Sequence, residues 1–273
     1  MTMKDVARVA GVDKGTVSRV LRGDPRISDA TGRRVWEAAR ELGYRMDVTA
    51  RGLSSGRTGL AGVLVPSLGE WWVGPFLEGA RRSLGSAGWD LLPLESGRDP
   101  RGALRGAERL VARRVEGVLW AEGRILPPEG FFLPTVRWGA DEGACLGLDA
   151  PGVLRGVRRA FPGRRFRYCG GPGALFPFLS RLEEEGEGLP LALVDGAQAL
   201  PPGPSLWCGD ARIAALLGLC CLPWGAFEIG VAAGRLLQRR LRHPEALFPK
   251  LRWLVHPRDS RGEPLPREEK RKP

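Results

Sequence analysis

Asparagine is absent from the 273 residues, and glutamine occurs only twice. Histidine is limited to His243 and His256, so no spacing resembles a zinc site. No apolar stretch reaches about 18 residues, the least a membrane helix needs, and no signal peptide precedes Met3. The expectation is a cytoplasmic chain whose five cysteines, at 145, 169, 208, 220 and 221, stay reduced. Cys220-Cys221 reads either as a redox pair or as part of a buried strand. The flanking run is apolar, which favours the strand. There is no nucleophile–base–acid set and no phosphate-loop signature, so neither catalysis nor a cofactor is expected. Lysine is scarce too: only five of the 42 cationic residues are lysine, and arginine carries the rest.

What is present is positive charge, a net +11 with a pI near 10.3. Residues 1–58 hold twelve cationic and seven acidic side chains, net +5, and the remaining +6 lies beyond them. Such charge raises affinity for nucleic acid without defining a surface for it. The length suits a small headpiece followed by one larger core.

The front of the chain carries the densest pattern. Val6, Val9 and Ala10 recur at i, i+3 and i+4, predicting an amphipathic helix. Gly11 supplies a turn and Asp13 a cap for the next helix. In that helix Val17, Val20 and Leu21 form the inner face, leaving Lys14, Thr16, Ser18 and Arg19 outside. Ser28 caps a third helix with Val35, Ala38, Ala39 and Leu42 inward and Gly43 as its stop. Two short helices alone would be an ordinary hairpin. With a third beneath them they read as a helix-turn-helix presenting a cationic face to DNA.

Beyond a Gly- and Ser-containing link at 46–58, short apolar runs alternate with helical segments. Strands are expected at 60–65, 89–94, 117–121 and 135–138, with helices at 76–87 and 100–114. A second series has strands near 165–169, 190–195 and 205–208, with helices at 174–185 and from about 210. A long helix at 225–242 and a strand at 251–255 close it. This alternation implies parallel sheets flanked by helices. Residues 258–273 are charged and proline-containing, and read as a disordered tail.

The runs Lys4-Asp5-Val6-Ala7, Ala10-Gly11-Val12 and Thr16-Val17-Ser18-Arg19-Val20-Leu21 resemble the opening of the lactose-repressor (LacI/GalR) family. Arg33-Arg34-Val35 through Leu42-Gly43-Tyr44 continues the likeness, and Thr49-Ala50-Arg51-Gly52-Leu53 is similar to the family's hinge helix. The resemblance implies a headpiece at 1–45, a hinge at 46–58, a two-lobed effector-binding and dimerisation core at 59–260 and a tail at 261–273. The implied fold is an all-α headpiece plus an α/β core of two Rossmann-like lobes of periplasmic-binding-protein type. The second lobe is trimmed, because the family's further strand and helix before Leu222-Pro223 have little room here.

The resemblance also assigns roles. Lys14 and Gly15 fill positions used for base choice. Arg19 suits guanine or a phosphate, and Thr16 and Ser18 suit phosphates. Leu53, with Ala50 beside it, would wedge into the minor groove, and the hinge would fold on DNA. Phe76, Leu77 and Leu84 are interface candidates for a homodimer on a palindromic operator, or core residues, as most helical apolar stripes are. Trp71 and Trp72 would stack on an effector of the sugar or nucleoside class, or pack in the core. Asp149 and Asp210 would contact that effector, or cap helices. The ligand-clamping arginine expected after Gly170-Gly171-Pro172-Gly173 is missing, with Leu175, Phe176 and Phe178 there instead. The implied function is a nucleoid-associated transcriptional regulator, a repressor by family habit. The alternatives are an effector-independent regulator with a degenerate pocket, and a two-lobed small-molecule-binding protein.

Overall fold

The computed structural model describes residues 1–21, 23–44, 57–123, 125–139, 145–170, 190–195, 203–209, 211–246, 250–261 and 263–265. The chain divides into two compact units, Met1–Thr58 and Gly59–Pro273.

The first unit contains α1 (Met3–Ala10), α2 (Lys14–Leu21) and α3 (Asp29–Glu41). Gly11 ends α1 in the left-handed conformation at φ 63°, which an L side chain rarely adopts. The Asp13 carboxylate accepts the Thr16 N–H at 2.9 Å and starts α2. At α3 the Ser28 hydroxyl accepts the Thr31 N–H. Val6, Ala7, Ala10, Val17, Val20, Leu21, Val35, Ala38 and Ala39 form one shared core. Val9, expected on the inner face of α1, is 42% exposed instead. Val6 and Ala10 fit two overlapping helical faces. Packing on α2 and α3 selects the one centred between Val6 and Ala7, which rotates Val9 outward.

Among the described residues of the second unit the named strands pair with one another in parallel. The elements of the first sheet and its cover are β1 (Leu60–Val65), α4 (Val73–Gly85), β2 (Asp90–Glu95), α5 (Pro100–Ala112), β3 (Gly117–Gly123), β4 (Thr135–Gly139) and β5 (Leu146–Leu148). Helix α6 (Ala150–Ala160) then leads to β6 (Arg165–Gly170), β7 (Pro190–Asp195), β8 (Ser205–Trp207), α7 (Ala211–Leu216) and β9 (Cys220–Cys221). Helix α8 (Ala226–Arg242) and β10 (Leu251–Trp253) follow. The first sheet runs β10-β5-β4-β3-β1-β2 and the second β6-β7-β8-β9. The chain therefore builds five strands of the first lobe, leaves for the second, and returns with β10.

Alternation along β1 sorts its side chains by face. Ala61, Val63 and Val65 join the core shared with α4 and α8, while Leu64 joins Ala103, Ala107 and Leu110 of α5. Helices α4 and α8 cross at backbone contact. A methyl group on Gly79 would lie 2.0 Å from the Phe227 carbonyl oxygen, and one on Gly230 would lie 2.1 Å from that of Phe76. Phe76 and Leu84, expected at a subunit interface, are 1% and 0% exposed. They belong to the core between α4 and α8, and Leu77 packs partly buried against it. The apolar stripe on α4 is consumed inside the subunit.

Helix α6 lies outside the helices expected from the sequence, although Asp149 caps it and Pro151 stands in its first turn. The segment from 258 was expected to be disordered. Its described part is instead built into the second lobe. The Arg258 N–H donates to the Cys221 carbonyl at 2.7 Å, the Cys221 N–H donates back at 2.8 Å, and Arg258 bridges Pro264. An exposed edge strand gains from any chain that satisfies its backbone, and this segment supplies that to β9. No described helix is long and apolar enough to cross a membrane.

Candidate nucleic-acid interface and inter-lobe site

On α2 the outer face is Lys14, Gly15 and Arg19, all exposed, with Thr16 and Ser18 half-buried beside them. Thr16 is already engaged, since its hydroxyl donates to Asp13 at 2.5 Å. These bonds from the Thr16 hydroxyl and N–H hold the Asp13 carboxyl below its ordinary pKa. A methyl group at residue 15 would sit 2.9 Å from Asp13 Oδ1, so glycine there leaves the cap undisturbed. The Arg19 guanidinium lies back along its own helix, 3.4 Å from the Gly15 carbonyl and 3.5 Å from the Thr16 hydroxyl. Both are weak contacts that a stronger acceptor would replace. Ala50 and Leu53 lie outside the described residues.

Two supports escaped the sequence reading. Arg34 of α3 donates to the Ala10 and Gly11 carbonyls at 2.5 and 3.3 Å, bracing the turn between α1 and α2. Asp24 accepts both nitrogens of the Arg26 fork, which holds its carboxyl well below the usual range. The pair sits just past α2, where the Asp24 N–H also donates to the Arg19 carbonyl. Arginines inside a family-like motif look like nucleic-acid contacts in one dimension, and only packing reveals a brace.

The effector candidates separate. Trp72 is 2% exposed, packed edge-on to Phe76 and Trp224 at ring distances of 5.9 and 4.9 Å. Of its two readings it takes the core one and is closed to a ligand. Asp149 caps α6, accepting the Gly152 N–H at 3.1 Å. Trp71 is half-buried where the lobes meet, since a methyl group on Gly209 of the second lobe would lie 3.2 Å from its ring. Its ring is also edge-on to Trp224, 5.9 Å away. Asp210 and the Gly171-Pro172-Gly173 turn lie outside the described residues, as does the helix expected at 174–185.

Sequence reasoning passed over Glu122. It is the penultimate residue of β3 and only 7% exposed, with Oε1 buried and unpartnered. Burial raises its pKa to about 7, opposed by Arg98 and reinforced by Asp99. Arg98 itself is in the left-handed region at φ 63° and pairs with Glu70. Among the described residues no group of three or more His, Cys, Asp or Glu could hold a metal ion.

A three-helix headpiece with a cationic outer helix, joined to a two-lobed parallel α/β core, defines a helix-turn-helix protein with a periplasmic-binding-protein-like body. Residues 2–47 match the family described as bacterial regulatory proteins, lacI family. The ribose operon repressor of Escherichia coli is 35% identical over 118 residues, 43% of this chain and 36% of that protein. Catabolite control protein A of Priestia megaterium is 29% identical over 125 residues, 46% of this chain and 38% of that protein. These matches span little more than a third of either relative.

Structural likeness reaches much further along the chain. The lac repressor dimer bound to operator and the anti-inducer ONPF superposes with a TM-score of 0.74, at 16% identity over 95% of this chain and 98% of that one. A LacI-family regulator from Silicibacter pomeroyi gives 0.68, at 20% identity over 98% and 100%. At such identities the likeness establishes the fold alone.

Proposed function

We propose that the protein is a sequence-specific DNA-binding transcriptional regulator, a repressor, acting in the cytoplasm as a homodimer on a palindromic operator. The observation that carries this reading is α2. Its Val17, Val20 and Leu21 are buried on α1 and α3, so Lys14, Gly15 and Arg19 are held outward on a rigid base. Lys14 and Arg19 approach the major groove, and Arg19 exchanges its weak contacts within the helix for guanine O6 and N7. Ala50 and Leu53 enter the minor groove. The regulators to which the chain is similar in sequence support a role in transcription over one in catalysis.

Selection of bound sites from random duplex tests the reading. A palindromic consensus with a fixed half-site spacing is expected, and recovery of unselected sequence would end it. Arg19→Ala should lose ~1–3 kcal/mol of discrimination at one base pair per half-site. Binding titrations on all four variants of that pair measure the loss.

A second reading, that no effector is required, is favoured by the engagement of Trp72 in the core and of Asp149 in a helix cap. Thermal-shift titration with sugars and nucleosides separates the two. A rise in melting temperature, lost in Trp71→Ala, marks an effector site.

A further inference from the structure

The point where the chain enters the second unit is held more firmly than a linker end requires. Gly59 is the first residue of that unit. Its N–H donates to Glu116 Oε1 at 2.7 Å, and its carbonyl accepts the Asp90 N–H at 2.8 Å. Its φ of +67° suits glycine. Glu116 is fixed in turn, its N–H donating to the Leu60 carbonyl at 2.8 Å. It follows the buried Val115 and directly precedes β3. Gly59 is thus tied to the amino ends of β2 and β3, across 57 residues of sequence in the case of Glu116. The bond to Glu116 has an ionised acceptor, and such bonds are roughly twice as strong as neutral ones.

We infer that Glu116 is a positioning residue for operator recognition, one that touches no DNA. This rests on the reading of the protein as a dimeric operator-binding regulator. Two headpieces joined to one core dimer read two half-sites at one separation only if each linker starts from a fixed point. A tether that begins at an unfastened residue is longer and more variable. The second headpiece then engages at a lower effective concentration and tolerates more spacings. The carboxylate fastens that starting point, so it sets the sharpness of the spacing requirement as well as the affinity.

The experiment compares full-length wild type, Glu116→Ala and Glu116→Gln on duplexes carrying the selected half-sites at a series of spacings. Wild type should bind one spacing best. Glu116→Ala should lose ~10-fold at that spacing, the scale of one charge-assisted bond, and little at the others, flattening the profile. Glu116→Gln keeps an acceptor oxygen and should restore most of the preference. The Gly59 amide, read by hydrogen exchange, should open faster in the alanine variant. Gly59→Ala strains the same joint from the other side and should flatten the profile as well, which keeps the test decisive if Glu116→Ala fails to fold. A variant that retains the wild-type spacing profile, whatever its melting temperature, overturns the inference. A wild type with no spacing preference sinks the dimeric operator reading instead, so the two failures are distinct.

Discussion

Glu122 is a carboxyl group at the carboxyl end of β3 with almost no water around it. Its folded pKa of about 7 lies above the ordinary 4.5. The folded state therefore holds a proton that the unfolded chain releases, and stability falls as pH rises from 4.5 to 7, then levels. The loss is at most ~3 kcal/mol. Glu122→Gln keeps the shape without the titration. Its urea midpoint should match wild type near pH 4.5 and exceed it at pH 8. Equal midpoints at both pH values would mean that the carboxylate finds a partner or water when it ionises. A glutamate inside an apolar strand is visible in the sequence, but its isolation is not, because that depends on which elements close over it.

At the scale of elements, the crossing of α4 and α8 depends on glycine. Gly230→Ala would place a methyl group against the Phe76 carbonyl and force the helices apart. A loss of about 1–3 kcal/mol, or more because backbone cannot repack, is expected in urea unfolding. Gly74→Ala, in the facing helix α4, meets nothing within 4 Å and should be neutral or gain up to ~1 kcal/mol. The chain end offers a second test. Truncation after Pro257 removes the segment bridged to Cys221. Cys220, whose thiol pKa is raised mainly by burial, should then react faster with a disulfide reagent at neutral pH. Unchanged reactivity would mean that β9 needs no cover.

The elements also show what sequence alone could give. The headpiece was legible because caps, turn glycine and helical faces are local signals within about four residues. Strands β1, β3 and β7 were legible as apolar runs. Helix α6 was not, although Asp149 and Pro151 mark its start, because an acid at a strand end reads equally as a ligand contact and as a cap. The face that α1 buries differs from the expected Val6, Val9 and Ala10 because tertiary packing decides it, and packing also decides Trp72, for which the sequence offers two readings.

For the whole molecule, charge is shared between the units, +5 on residues 1–58 and +6 on the rest. Duplex of random sequence should bind through phosphates, with affinity falling at least roughly 10³-fold between about 50 and 200 mM salt if six or more are contacted. Fluorescence anisotropy measures the slope. A shallow slope would place few cations on the DNA and weaken the proposed role for α2. The sheet order was not legible at this scale, since alternation predicts parallel strands without saying which lobe claims the last one.

That last strand has a consequence for synthesis. β10 completes the edge of the first sheet but is encoded after the entire second lobe. On the ribosome the amino-terminal lobe waits, short of one border strand and of the long helix that covers α4, until translation has passed Trp253. Termination between Gly59 and that residue leaves a complete headpiece on a body whose first sheet lacks its border strand.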